Sequence, residues 1–82
     1  MEKRIGVIGI VIENHDIIAR LNAILHEYAE LILGRMGLPC KDRGLSVISL
    51  IVEGTTDDIG ALTGKLGNLP GVNVKSALSK KY

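Results

Sequence analysis

Two stretches, KRIGVIGIVIE at residues 3–13 and LSVISLIVEG at residues 45–54, are apolar on both parities. In an extended strand alternate side chains point to opposite faces, so Ile5, Val7 and Val11 share one face of the first stretch and Ile8, Ile10 and Ile12 the other. In the second, Leu45, Val47 and Ile51 oppose Ile48, Leu50 and Val52. Strands of this kind want cover on both sides and belong in the middle of a sheet. A chain of 82 residues, however, buries only about 60–65% of its unfolded surface and has room for one core, so a single domain over residues 1–82 is expected.

The remaining elements follow from periodicity. After the first strand Asn14 can cap a helix, with Asp16 in its first turn and Ile17, Leu21, Ile24, Leu25, Tyr28 and Ile32 at spacings of three and four. LILGRMGLP then reads as a short strand closed by Pro39, and CKDRG as a turn. Thr55 and Asp58 have capping-box spacing ahead of a second helix, in which Ile59, Leu62, Leu66 and Leu69 form one stripe. Pro70 and Gly71 turn the chain into a fourth strand, VNVKSAL, and the basic tail SKKY is expected in solvent.

The order βαββαβ predicts an α+β fold, a ferredoxin-like sandwich with a four-stranded antiparallel sheet and two helices on one face. Right-handed crossovers place the first and third strands at the centre and the second and fourth at the edges. Two helices cover one side of such a sheet. The other side then carries apolar residues from both central strands, which implies self-association as a dimer or tetramer.

Composition removes several function classes. The chain has no Phe and no Trp and a formal net charge of +1, which suits neither a base-stacking platform nor a phosphate-tracking surface. Its single cysteine, Cys40, excludes an internal disulfide, and a cytoplasmic location is the default. The apolar run near the start is too short to span a bilayer and is broken by Gly6 and Gly9, so neither a signal peptide nor a membrane contact is expected.

Catalytic and metal-binding groups are sparse. Asp57 and Asp58 fit the favourable charge of a helix N-terminus, and Ser46 and Ser49 have no nearby histidine in sequence. Cys40 beside Lys41 and Arg43 is the one thiol with basic neighbours, and its place in a turn accounts for it without reactivity. His15 and His26 are three helical turns apart, about 16 Å along an axis, and cannot grip one ion within a chain. No catalytic residue, metal site or cofactor is predicted; a site for His15, His26 or Cys40 between subunits is the one metal arrangement left open.

The second helix carries Gly60, Gly64 and Gly67, each costing about 1 kcal/mol relative to alanine. At about 100° per residue they cluster roughly 145° from the apolar stripe, away from the sheet. Such a bare wall suits either backbone contact with a neighbouring helix, within or between subunits, or close approach by a ligand or partner.

IGVIGIVIEN, ILGRMGLP and GLSVISLIVEGTTDDIGALTGKLGNLPGVNVKSAL together resemble the small ACT-like family of iron-only hydrogenase system regulators. RMGLP, SVISL and IGALTGKLGNLPGV are the most specific parts. That family's fold is likened to the C-terminal domain of the nickel-responsive repressor. The resemblance implies a ferredoxin-like fold, multimeric assembly and a regulatory rather than enzymatic role. It also implies a small-molecule effector bound beside the first strand-to-helix loop, where Asn14 and His15 lie, or at a subunit interface of the kind Gly60, Gly64 and Gly67 could form. The repressor's ribbon-helix-helix and its His-x-His pattern have no counterpart here, so no direct DNA binding is expected. The alternatives are an adaptor that binds a protein partner through an edge strand or the glycine-lined helix, and a metal-responsive sensor.

Overall fold

The computed structural model describes residues 2–80, so Lys81 and Tyr82 of the basic tail lie outside the described residues. Strand β1 (Arg4–Ile12) leads through a 3-10 turn (His15–Ile17) into helix α1 (Ile18–Glu27). A second 3-10 turn (Ala29–Leu31) precedes β2 (Ile32–Cys40), and a third (Lys41–Arg43) joins it to β3 (Leu45–Gly54). Helix α2 (Thr56–Gly67) and β4 (Val72–Leu78) complete the order. The sheet runs β2-β3-β1-β4 and is antiparallel throughout. The two strands that are apolar on both parities are therefore its centre, as their need for cover requires.

The core occupies one side of that sheet. Ile8, Ile10 and Ile12 of β1 and Ile48, Leu50 and Val52 of β3 are buried there against Leu21 and Leu25 of α1 and Ile59, Leu62 and Leu66 of α2. Ile10 sits opposite both Ile48 and Val74, so the centre of the core is also the centre of the hydrogen-bonded ladder. The 3-10 turn that leads into α1, and α2 itself, each start on a side-chain cap. Asn14 accepts a hydrogen bond from the Asp16 N–H at 3.0 Å, and the Thr55 hydroxyl accepts one from the Asp58 N–H at 3.1 Å.

Two boundaries differ from the periodicity. Helix α1 stops at Glu27, and Ile32, spaced as if on the helix, begins β2 opposite Val52. An apolar residue there reaches the same core either way, and with Gly34 and Gly37 weakening any further helix the ladder with β3 decides the conformation. Pro39 lies within β2, which continues to Cys40; an edge strand has a neighbour on one side only and so tolerates a residue without an N–H. The register of β2 also shifts between Ile32 and Gly34, so Leu33 is a bulge.

Two glycines are required by their surroundings. A Cβ on Gly6 would strike the Ala77 carbonyl oxygen and the Leu78 side chain, because β4 closes tightly over β1 there. Gly71 has φ 76°, and a Cβ on it would stand 2.7 Å from Cβ of Asn14. The turn before β4 thus presses on the loop after β1, where the Glu13 N–H donates to the Gly71 carbonyl at 2.8 Å.

Candidate functional site

The side of the sheet away from the helices is open. The paired registers arrange its residues in rows across the four strands: Gly34, Ile51, Val7 and Ala77; then Met36, Ser49, Gly9 and Lys75; then Leu38, Val47, Val11 and Asn73. The first and third rows are mainly aliphatic, and the middle row is low because Ser49 and Gly9 stand at its centre. The face is therefore two apolar ridges about 13 Å apart with a trough between them. Ile5, Val7, Val47 and Ile51 are exposed there, and Met36 and Leu38 on β2 are 72% and 64% exposed. Among the described residues an added Cβ at Gly9 would meet only the Lys75 carbonyl oxygen, at 3.9 Å, so none of them fills the trough there.

The contributions of β1 and β3 to this face follow from their alternation. Those of β2 do not. Parity counted from Ile32, which packs toward the core, puts Met36 and Leu38 on the helix side, and the bulge at Leu33 reverses it. The spacing of Met36 and Leu38, with small Gly34 before them, is the signal for one exposed apolar edge.

The glycine wall of α2 points away from the sheet. Outside α2's own backbone, a Cβ at Gly60, Gly64 or Gly67 would meet no atom within 4 Å among the described residues, so these glycines serve no packing against another described helix. That part of the sequence expectation is corrected: α1 meets α2 elsewhere, through the Lys65 Nζ, 2.8 Å from Glu27 Oε2 and 5.3 Å from the Tyr28 ring centre. Asn14 and His15 lie in the loop and turn after β1, with Asn14 engaged as a cap. Gly60 and Gly67 stand about two helical turns apart along α2.

Among the described residues no three His, Cys, Asp or Glu side chains form a group able to hold a metal ion. His15, His26 and Cys40 sit in the turn before α1, in the last turn of α1 and at the end of β2. Asp57 and Asp58 occupy the first turn of α2. The hydrogen bonds of Lys65 to Glu27 and then Tyr28 raise its pKa. No described helix is long and apolar enough to cross a membrane.

This architecture recurs in solved structures. The chain is similar to the uncharacterized protein TM1266 from Thermotoga maritima, at 38% identity and a TM-score of 0.92, over 96% of this chain and 100% of that one. The C-terminal domain of the MgtC protein from Mycobacterium tuberculosis shares the fold at 13% identity and a TM-score of 0.72, over 94% and 88%. So does CPII, a nitrogen regulatory PII-like protein from Thiomonas intermedia K12, at 12% identity and a TM-score of 0.52, over 96% and 99%. No curated protein sequence matches. A family model described as "TM1266-like: Iron-only hydrogenase system regulator, putative" matches residues 4–76, and with that span added to the shared fold the chain belongs to the TM1266-like family.

Proposed function

We propose that this protein is a non-catalytic, single-domain regulatory module of the iron-only hydrogenase system, a cytoplasmic homo-oligomer that responds to a small ligand. Membership of the TM1266-like family supports the regulatory part. The observation that carries the assembly is the open face of the sheet. Its six exposed large aliphatic or methionine side chains, Ile5, Val7, Met36, Leu38, Val47 and Ile51, contribute roughly 1 kcal/mol each if half of each is buried. Two such faces meeting symmetrically contribute on the order of 12 kcal/mol, within the roughly 4–15 kcal/mol that association costs. A second copy is the partner that brings an equally apolar face, since a two-fold interface sets the same patch of both subunits against each other.

The glycine wall of α2 and the loop at Asn14 and His15 are the further surfaces through which subunits or a ligand make contact. A protein partner is the second reading, and the open edge of β2, nine residues long with Met36 and Leu38 beside it, is the observation that favours it. Light scattering at micromolar concentration tests the assembly: a dimer or tetramer is expected, and a monomer of 8.8 kDa would remove the reading. A thermal-shift screen with amino acids, organic acids, nucleotides and divalent metals tests ligand response, because a compound that binds only the folded chain raises its melting temperature.

A further inference from the structure

On the helix side, the two helices do not reach the edge strand. Between α1 and β2 runs an open groove with two lobes, about 360 Å³ and 170 Å³, which meet where Asn22 and Arg35 line both. The larger lobe is walled by Leu25, Ala29 and Ile32 and carries His26 at its rim; the smaller is walled by Ile18, Gly37 and Ile48, with the Ser46 hydroxyl. Ile18, Asn22 and His26 follow at intervals of four, so one stripe of α1 faces the groove, and Ala29 continues the wall from the 3-10 turn that follows.

The chemistry of this lining is selective. Arg35 is its one full charge, and no carboxylate lines either lobe. The side chains of Arg35, Asn22 and His26 have no hydrogen-bond or ion-pair partner among the described residues. A guanidinium presents a planar fork that a carboxylate meets with two parallel hydrogen bonds, and an amide beside it can donate a third. One cation and one neutral amide balance a single negative charge. A phosphate would ask for more, and neither a glycine loop nor a second cation lines the groove. The apolar walls on both sides of Arg35 then receive a hydrocarbon group, and volumes at or below the lower end of ligand pockets restrict it to a small one.

We infer that the groove between α1 and β2 binds a small organic monocarboxylate, with its carboxylate on Arg35 and Asn22 and its apolar part along Leu25 and Ile32. This rests on the ligand-responsive reading above and names its site and ligand class.

The test is an NMR titration of the full chain, labelled with ¹⁵N, using hexanoate and phenylacetate, with hexanol, benzyl alcohol and inorganic phosphate as controls. Both acids should give saturable shifts at the Asn22 side-chain amide and the Arg35 Nε–H, and neither the alcohols nor phosphate should reproduce them. Arg35→Gln should weaken both acids by about tenfold or more, since it removes hydrogen bonds between charged groups. Arg35→Lys keeps the charge, loses the fork and should fall between. Arg35 is exposed, so these variants should keep the parent's spectrum; if either fails to fold, Asn22→Ala provides the same comparison. Equal binding of phosphate or the alcohols, shifts that map elsewhere, or affinity indifferent to the Arg35 variants would overturn the assignment. If neither acid binds while another compound in the thermal-shift screen does, the groove assignment fails and the ligand-responsive reading stands. If nothing in that screen binds, both fall.

Discussion

Glycine has three different meanings in this chain, and the added methyl of alanine separates them. At Gly6 the methyl meets a backbone oxygen that cannot move aside, so Gly6→Ala should destabilise by about 2 kcal/mol, read from urea denaturation. At Gly9 it enters the open trough, so Gly9→Ala should cost the fold little. A larger residue, Gly9→Ile, should leave the subunit folded and change its assembly, because the trough between the ridges is filled. Gly64 is different again. Outside α2's own backbone no described residue adjoins it, and Gly64→Ala should raise stability by about 1 kcal/mol through helix propensity alone. Gly64→Leu should leave the chain folded and weaken assembly or ligand binding if the wall is a contact surface. An unaltered oligomer with unaltered ligand response in the Gly64 variants would leave the wall without a role.

Among the elements, β1, α1, β3, α2 and β4 were legible in the sequence because each has one strong pattern. Both parities of β1 and β3 are filled, the caps Asn14 and Thr55 announce their helices, and Pro70 and Gly71 mark the last turn. β2 was the weak point, since its parity is broken at Leu33 by a bulge that no residue type signals. The open face was therefore foreseen from its central strands, and Met36 and Leu38 were added by the structure. The groove beside Arg35 was not foreseen at all. It exists because α1 ends its coverage short of the edge strand, which is a matter of packing rather than of local pattern.

The contact between the two helices gives a pH prediction at the same scale. Glu27 and Tyr28 raise the Lys65 pKa above its ordinary value of 10.5, so the ion pair's contribution is fully present below that value. It is lost as pH climbs through the raised folded value. Lys65→Met should be slightly less stable than the parent at neutral pH, and the two should converge at strongly alkaline pH. A gap that ignores pH would show that the pair contributes nothing.

For the whole molecule, the two faces of the sheet give opposite outcomes. Ile10→Lys places a charge in the fully buried centre and should prevent stable folding, whereas Val47→Lys on the open face should give a folded subunit of lower mass by light scattering. Folded Ile10→Lys protein with the parent's oligomeric state would contradict the assignment of faces. The chain alone should not bind DNA with sequence selectivity, given its net charge of +1; selective retardation of promoter fragments would reverse that expectation. The sheet order has a further consequence, for synthesis. β1 leaves the ribosome first, yet its two neighbours are β3 and β4, so its ladder cannot be completed until the last strand is made. At 5–20 residues per second that wait is roughly 3–13 s, during which one of the most aliphatic segments of the chain has no permanent neighbour on one or both edges. The nascent chain thus spends seconds as an unpaired, two-faced apolar strand, which makes β1 the segment a holding chaperone should cover, and chains stalled before β4 should aggregate where the finished chain does not.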